Sequence, residues 1–356
     1  MIRLANMNKT TRSSLFTYAL VIVSFLIIQV LRGTVGIGSV LEGQLIPICA
    51  YVTMALALNL VVGVSGELSL GHAGFMSIGA FMGCSAASAL AGVIPFAPLR
   101  LAVAMLVGAA LAGFFGFLIG IPVLRLNGDY LAIVTLAFGE IIKNLVNAVF
   151  LGRDADGFHI SFKDSMSLGL KDGGEVLIKG PQGITGTPQA ATFTIGIILV
   201  LITLIIVMNL VNSRTGRAVM AIRDNRIAAE SVGINITKFK LMAFTISAAI
   251  AGAGGVLYAH NLSTVTATPT NFGYNMSIMI LVFVVLGGMG SFRGSIIAAV
   301  ILTLLPEVLR GLKDYRMLIY SIVLIVMMLF NWAPKCIEMR QRIAAKFKKS
   351  AKKEAA

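Results

Sequence analysis

Charged residues are scarce in this sequence. Only 12% of its 356 residues are Asp, Glu, Lys or Arg, and 57% are hydrophobic. In soluble domains about 25% of the residues are charged, so an ordinary soluble domain is excluded. Because a helix of about 20 apolar residues crosses a bilayer, the composition indicates a helical protein with several membrane spans.

Further absences exclude most kinds of chemistry. The three cysteines are scattered without a C-x-x-C pair, and there are only three histidines, which favours neither a disulfide framework nor a metal site. The sequence contains no G-x-x-x-x-G-K-[ST] loop for nucleotide phosphates. No nucleophile stands in a recognisable arrangement with a base. We therefore predict that the chain has no catalytic residue, no metal and no cofactor of its own.

Ten apolar segments are candidate membrane spans. The eighth and ninth are short, which suggests tilted, broken or partly re-entrant helices. The first lacks an A-x-A cleavage site and is interpreted as a retained span. We predict an all-α transmembrane bundle over residues 15–332, with a cytoplasmic segment at 1–14 and a basic cytoplasmic tail at 333–356. The ten segments are residues 15–31, 45–63, 73–92, 101–121, 130–151, 192–211, 241–260, 276–290, 295–309 and 317–331.

The placement of charge predicts the orientation. If the N-terminus is cytoplasmic and ten spans alternate, the basic stretches at 212–240 and 333–356 lie inside, where Lys and Arg concentrate. The loop at 152–191 then lies outside, with four basic and five acidic residues. Residues 310–316, with three basic residues and one acid, break the pattern. We interpret the net charge of +14 as a topology signal and a contact for lipid headgroups, not as a nucleic-acid site.

The most informative stretch is the basic island at 212–240, which holds six Lys or Arg and two acids between two uncharged segments. Asp224 is a plausible N-cap, residues 225–232 form a short helix, and Gly233 is expected to stop it. A helix of this length is about 12 Å long at 1.5 Å per residue. The pattern predicts a structured cytoplasmic hairpin, either a docking surface for a partner or a generic amphipathic connector.

A second stretch, at 59–80, is dense in glycine and serine. Such sequences are tolerated at membrane depth where backbones pack closely or where the chain breaks around a cavity. Two interpretations stay open: a short cytoplasmic turn at 64–72 flanked by close helix contacts, or a broken helix that lines a solute path. For His72 we favour a packing or hydrogen-bonding role. The candidate path residues are Asn59, Gly63, Ser65, Gly66, Glu67, Ser69, Gly71, His72, Gly74 and Thr135.

Ionisable residues inside the fifth span need an explanation, because intramembrane charges are costly. Glu140 and Lys143 are three residues apart and can share one helix face. We therefore predict an intramembrane ion pair with a structural role, in preference to contact with solute. Asp129 is expected to be the N-cap of this span at the membrane surface.

Several motifs carry a family resemblance. They are LNLVVGVSGELSLGHAGFMSIGA from residue 58, GDYLAIVTLAFGEI at 128–141, GPQGITG at 180–186, GRAVMAIRDNRIAAESVGI at 216–234 and VVLGGMGSFRGSIIAAV at 284–300. In this order they resemble the permease subunits of branched-chain amino acid ABC importers, specifically the LivM-like half of a LivH/LivM pair. The likeness covers residues 59–306. It specifies the family better than the solute, because relatives handle sugars, urea and other amides.

The resemblance implies the architecture of a type II importer in a bacterial or archaeal cytoplasmic membrane. A second, LivH-like permease would complete the pore, two cytoplasmic ATPases would use ATP and Mg²⁺, and an extracytoplasmic binding protein would deliver leucine, isoleucine or valine. The outer loop at 152–191 would meet that binding protein, or else be a solvated mobile loop with a fixed turn at 180–186.

The same resemblance makes the short helix at 225–232 the element that couples the permease to an ATPase. The implied coupling residues are Gly216, Arg217, Asp224, Arg226, Ala228, Ala229, Glu230 and Gly233. Rival functions are an importer of urea, short amides or sugars and, from other classes, an ion-coupled secondary transporter or a membrane enzyme. The scarcity of intramembrane acids disfavours the secondary transporter.

Overall fold

The computed structural model describes residues 9–34, 38–126, 128–154, 157–171, 174–187 and 189–332. Within these residues the fold is mostly helical and divides into two compact units, which meet in sequence at residues 300 and 301. The α-helices are α1 Lys9–Thr34, α2 Ser39–Asn59, α3 His72–Ala89, α4 Ala97–Val123, α5 Asp129–Ala148, α6 Phe193–Asn212, α7 Arg214–Asp224, α8 Arg226–Ser231, α9 Ile236–Ala259, α10 Tyr274–Gly287, α11 Phe292–Val308 and α12 Arg316–Trp332.

In the described part of the chain, seven helices are long and apolar enough to cross a membrane. A helical membrane bundle is therefore confirmed, whereas a count of ten spans is not. The other three predicted spans, at 73–92, 276–290 and 317–331, correspond to α3, α10 and α12. The seven helices are Ser14–Thr34, Leu41–Ser65, Ala97–Val123, Asp129–Ala148, Phe193–Asn212, Ile236–Ala259 and Phe292–Gly311.

The centre of the first unit is built from α3, α4 and α9, which all contact each other, and from α2, which packs against α9 and α6. Small residues permit this approach, since van der Waals packing holds membrane helices together. A Cβ at Gly74 would lie 2.8 Å from the Cα of Gly139 on α5, and one at Gly252 would lie 2.6 Å from the carbonyl oxygen of Gly108. Most of α3 is buried, which explains why its sequence is only moderately apolar.

The loop between α5 and α6 contains a small antiparallel sheet with the strand order β2-β1-β3. This sheet modifies the predicted all-α fold. A 3₁₀ turn at Gly180–Gln182, which contains Pro181, leads into β4, and β4 pairs with β5. A fixed turn is thus confirmed there. The strands are β1 Phe150–Asp154, β2 Gly157–Ser161, β3 Glu175–Lys179, β4 Ile184–Thr185 and β5 Thr264–Val265.

The sheet and the basic island lie at opposite ends of the bundle. Arg153 of β1 donates a hydrogen bond to the carbonyl of Ala89, the last residue of α3, while α7 contacts the segment that precedes α3. The end of the molecule that carries α7 and α8 is called the hairpin end below.

The second unit contains the end of α11, a 3₁₀ turn at Leu309–Tyr315 and α12. Arg310 and Glu307 form an ion pair one turn apart. The predicted N-terminal segment, apart from the start of α1, and the predicted basic tail at 333–356 lie outside the described residues.

Candidate functional site at the hairpin end

The basic island, which we call the basic hairpin (residues 212–240), begins with a sharp bend between α6 and α7. The hydroxyl of Ser213 accepts a hydrogen bond from the backbone N–H of Gly216 at 3.2 Å and caps α7. Gly216 lies directly against the carbonyl groups of Leu210 and Val211, where a Cβ has no space. The glycine of the predicted coupling motif is therefore required by this bend.

The short helix α8 is closed at both ends by its own sequence. The side chain of Asn225 accepts a hydrogen bond from the backbone N–H of Ala228 at 3.0 Å, so Asn225 is the N-cap. Asp224 is not the N-cap, and that prediction was wrong: it ends α7 and pairs with Arg223 at 2.9 Å. An N-cap residue has extended backbone dihedral angles. Asn225 has them, whereas Asp224 still belongs to α7.

Gly233 stops α8 as predicted, in the left-handed conformation with a φ of +83°. Its N–H donates to the carbonyl of Glu230 at 3.0 Å, and the N–H of Ile234 donates to the carbonyl of Ala229 at 3.1 Å. These two bonds form a Schellman motif, in which the residue after the glycine also makes an apolar contact with the helix. Ile234 makes that contact.

One face of α8 is buried inside the hairpin and the other is exposed. Ala229 is only 4% exposed, because it packs with Ile222 of α7 and Ile236 of α9 inside the hairpin. The exposed apolar side chains are Ile227, at 80%, and Val232, at 75%. Ala229, one of the implied coupling residues, therefore does not lie on the exposed face of α8. A small residue is required there because three helices meet.

The structure separates the other predicted coupling residues into two groups. Arg226, Ala228 and Glu230 are exposed on α8. Arg217 lies on α7 instead, where it donates a hydrogen bond to the carbonyl of Asn212 at 3.2 Å. It lines a groove of about 660 Å³ between α1, α6 and α7. Gly216 and Arg217 thus do not belong to the exposed surface of α8.

The glycine-rich stretch forms a break between α2 and α3, which we call the break segment (residues 60–71). Its first part, Leu60–Ser65, is a π-helical turn that ends at Gly66, whose φ is +73°. The N–H of Glu67 donates to the carbonyl of Val61 at 3.2 Å and closes this turn. The chain then stays non-helical until α3 begins at His72. π-Helical turns inside helices occur frequently at functional sites.

Two basic side chains from the hairpin hold the break segment. The guanidinium of Arg223 donates a hydrogen bond to the carbonyl of Gly63 at 2.9 Å. The ammonium of Lys240, near the start of α9, forms an ion pair with Glu67, and both of these side chains are buried. In the sequence, Arg223 precedes α8 and Lys240 follows it.

The break segment and Asn59, the residue before it, also contact α5, α11 and the turn before α11. Asn59 donates a hydrogen bond to the hydroxyl of Ser295 on α11 at 2.9 Å and accepts one from the N–H of Gly290 at 2.8 Å. The N–H of Leu70 donates to the hydroxyl of Thr135 on α5 at 3.0 Å. The side chains of Asn59, Thr135 and Ser295 are buried, and a buried polar group without a partner is costly.

His72 has the structural role predicted for it. One ring nitrogen lies 2.7 Å from the hydroxyl of Ser247 on α9, which also bonds to the carbonyl of Ala57 on α2. The N–H of Ala73 donates to the hydroxyl of Ser277 on α10 at 3.1 Å. The first turn of α3 is thus fixed to helices α2, α9 and α10.

The candidate path residues come together, but they form a packed joint. Ser65, Ser69 and His72 are almost fully buried. The void beside Gly71 and Thr135 is too narrow for a water molecule, and apolar side chains line the rest of it. The structure therefore shows the close helix contacts that were predicted to flank a short turn at 64–72. A role of these residues in lining a solute path stays a prediction. The void is completed by Phe75, Ile119, Phe138, Gly139, Ile142 and Phe244.

The predicted intramembrane pair is present on α5. Glu140 and Lys143 form an ion pair, and Glu140 also accepts a hydrogen bond from the N–H of Tyr274 at 2.8 Å. The carboxylate thereby caps α10, a structural role. Asp129 is not the N-cap of α5: it is the first helical residue, and Gly128, with a φ of +61°, occupies the cap position.

Arg223, Lys240, Ser247 and Ser295 were missed as parts of the site by sequence reasoning. For Lys240 a signal existed, because a lysine inside the start of an apolar span requires a counter-charge, and Glu67 is one of few acids in the preceding spans. For Arg223 no local signal exists, since its acceptor is a backbone carbonyl 160 residues away.

Comparison with known proteins decides the family. The family model described as "Branched-chain amino acid transport system / permease component" matches residues 40–331. The chain belongs to this permease family. The predicted resemblance is thus confirmed.

Three permeases with known names are similar to this chain over most of its length. The high-affinity branched-chain amino acid transport system permease protein LivM of Escherichia coli K12 is 34% identical over 354 residues, which cover 97% of this chain and 79% of LivM. LivM of Salmonella typhimurium LT2 is also 34% identical, over 92% of this chain and 75% of its own length. The fructose import permease protein FruG of Bifidobacterium longum is 24% identical over 83% of this chain and 84% of FruG. No solved structure matches the chain.

Proposed function

We propose that this chain is a permease subunit of an ABC importer and forms part of the cytoplasmic-membrane path for leucine, isoleucine and valine. The proposal is supported by the family and by the identity of 34% across 97% of the chain with a protein named for branched-chain amino acid transport. The observation that carries it is the basic hairpin, which Arg223 and Lys240 attach to the break segment. This hairpin exposes the apolar side chains of Ile227 and Val232 to solvent.

An exposed apolar helix on a rigid support is suited to docking. Aliphatic side chains at the centre of an interface, surrounded by charged ones, are typical of a specific contact. Ile227 and Val232 supply the centre, and Arg226 and Glu230 supply the rim. The partner is an ATPase, because the sequence has no phosphate-binding loop of its own, and ATP and Mg²⁺ are bound there. The chain itself is not an enzyme.

The complete importer contains a second permease, two ATPases and an extracytoplasmic binding protein. A LivH-like subunit fits the second position, since a probable permease named LivH from Methanocaldococcus jannaschii is 25% identical to this chain over 283 residues. Two such related chains would form a pseudosymmetric pair, in line with the preference of oligomers for closed symmetry. The small sheet at the opposite end from the hairpin is the side that meets the binding protein.

The membrane topology has ten spans, with α3, α10 and α12 added to the seven long apolar helices. Burial supports the inclusion of α3, because a helix surrounded by α4, α5 and α9 needs little hydrophobicity toward lipid. The hairpin and both termini lie in the cytoplasm, in agreement with the excess of Lys and Arg at 212–240 and 333–356. The sheet lies outside.

The relatives also include the fructose import permease protein FruG and the autoinducer 2 import system permease protein LsrC, so the solute is tested directly. The test is uptake of labelled leucine into proteoliposomes that contain both permeases and the ATPases, with binding protein outside and ATP inside. We expect saturable uptake that unlabelled isoleucine and valine inhibit and that fructose and urea leave unchanged. Uptake of fructose or urea in place of leucine contradicts the proposed solute.

A further inference from the structure

We propose that Arg223 and Lys240 are positioning residues that transmit the displacement of α8 to the break segment during transport. The hairpin and the break then move as one body, and the movement continues into α5 and the turn before α11. This inference rests on the proposed function and adds to it the connection between the ATPase contact and the helices of the path.

The first step is the rigidity of the hairpin. Ile222 near the end of α7, Ala229 of α8 and Ile236 at the start of α9 are all buried together. The Schellman motif at Gly233 fixes the turn between α8 and α9. A force on the exposed face of α8 therefore displaces the end of α7 and the start of α9 with it, because close-packed side chains transmit strain.

The second step is the attachment through Arg223. The last carbonyl groups of a helical segment lack partners within it, and the guanidinium of Arg223 satisfies that of Gly63 in the π-helical turn. A hydrogen bond from a charged donor is about twice as strong as a neutral one. The aliphatic part of Arg223 lies against Gly66, where a Cβ would be 2.6 Å from Cγ. The arginine is thus held by contact as well as by charge.

The third step is the attachment through Lys240. Its ion pair with Glu67 is buried, so separating the charges would leave both of them unpaired in an apolar environment. That loss is large for buried pairs, and the pair therefore resists stretching. Arg223 and Lys240 hold positions four residues apart in the break segment, Gly63 and Glu67, on the two sides of Gly66.

The fourth step leads from the break segment to the bundle. The bond between Leu70 and Thr135 joins the break segment to α5. Asn59, the residue directly before the break segment, bonds to Gly290 and Ser295. Among the described residues, the bonds of Arg223 and Lys240 and the polar bonds to α5 and α11 thus all meet at the break segment and at Asn59 beside it. A two-state displacement of such a joint is the kind of element that couples distant sites.

The experiment uses the complete reconstituted importer and measures both leucine uptake and ATP hydrolysis. The test variants are Arg223→Met and the double variant Glu67→Gln/Lys240→Met, which removes both charges and leaves no buried ion unpaired. Lys238→Met is the matched control, because Lys238 is exposed and lies two residues from Lys240. Arg223→Lys tests whether a cationic donor alone restores the link.

We expect each test variant to assemble with the ATPases and to keep hydrolysis stimulated by the binding protein, while leucine transported per ATP falls about tenfold, within the usual range of coupling between sites. Lys238→Met should match the unmodified importer, and Arg223→Lys should recover most of the ratio. A merely structural role would lower the amount of complex, and hydrolysis and uptake together, without changing their ratio.

Unchanged leucine per ATP in the assembled double variant and in Arg223→Met overturns the inference. A proportional loss of hydrolysis and uptake overturns it as well, since the residues then act on docking or folding. If the unmodified importer itself takes up no leucine with ATP, the proposed function has failed and the inference falls with it. These outcomes are distinguished by the same two measurements.

Discussion

The carboxylate of Glu140, in the middle of α5, accepts a hydrogen bond from the backbone N–H of Tyr274 at 2.8 Å. The first turn of α10 thus begins beside the centre of a neighbouring helix, and its free N–H groups face a negative charge, which the dipole of a helix favours. Lys143 balances that charge one turn away on α5. The two residues join α5 to α10, and their charges neutralise each other.

The first prediction concerns this cap. Glu140→Gln should destabilise the permease by about 3–5 kcal/mol, because it leaves the buried ammonium of Lys143 without a partner. The double variant Glu140→Gln/Lys143→Met should recover much of that loss, since the amide can still accept from Tyr274. The measurement is thermal unfolding of the detergent-purified permease. Equal stability of the single and double variants would show that the ion pair is not what matters.

The second prediction concerns the contact between α5 and the break segment. At Gly71 a Cβ would lie 2.5 Å from the carbonyl oxygen of Thr135, and backbone cannot move aside easily. Gly71→Ala should therefore destabilise the permease by about 1–3 kcal/mol, as overpacking does, and reduce transport. Gly43→Ala is the control, because that glycine in α2 has open space. Unfolding and uptake are measured for both; a harmless Gly71→Ala contradicts the close contact.

The third prediction concerns the exposed face of α8. Ile227→Asp should leave the hairpin folded, since an acid in the first helical turn is favourable, but it should weaken ATPase binding. A hot-spot residue contributes about 2 kcal/mol, roughly a thirtyfold loss of affinity. The control is Thr237→Asp, at an exposed position of α9. Co-purification of the ATPase with the detergent-extracted permease is the measurement, and undiminished retention in Ile227→Asp excludes α8 as the docking helix.

A fourth prediction separates Ala229 from that face. Ala229→Arg inserts a charged side chain among Ile222 and Ile236, so the hairpin itself should unfold locally, because a buried unpaired charge is costly. Limited proteolysis should then cleave within residues 212–240 in Ala229→Arg but not in Ala228→Arg, whose site is exposed. Equal resistance of the two variants would contradict the burial of Ala229.

The local features of the hairpin could be predicted from sequence, and its orientation could not. Gly233 is the only glycine near the end of the predicted helix, and a left-handed stop there needs only local dihedral preferences. Which side of α8 is buried depends on Ile222 and Ile236 in two other helices. Small size at Ala229 is therefore equally consistent with a docking face and with a packed interior.

The same distinction holds across the bundle. Hydropathy identifies α4 and α6 clearly, because much of their surface is apolar and exposed. The helix α3, which was also predicted as a span at 73–92, is buried by its neighbours and has a more mixed sequence. The ion pair of Glu67 and Lys240 joins residues 173 positions apart, and periodicity along one chain segment carries no information on such a pair. The outer strands were missed because loop residues of mixed charge do not alternate clearly.

Whether transport is driven by ATP or by an ion gradient can be measured in vesicles. Proteoliposomes are prepared with this chain and its partner permease, either with or without the ATPases, and leucine uptake is followed under an imposed proton or sodium gradient and, separately, with internal ATP and external binding protein. The account predicts uptake only in vesicles that contain the ATPases and ATP. Robust gradient-driven uptake by the two permeases alone would contradict it and indicate a secondary transporter.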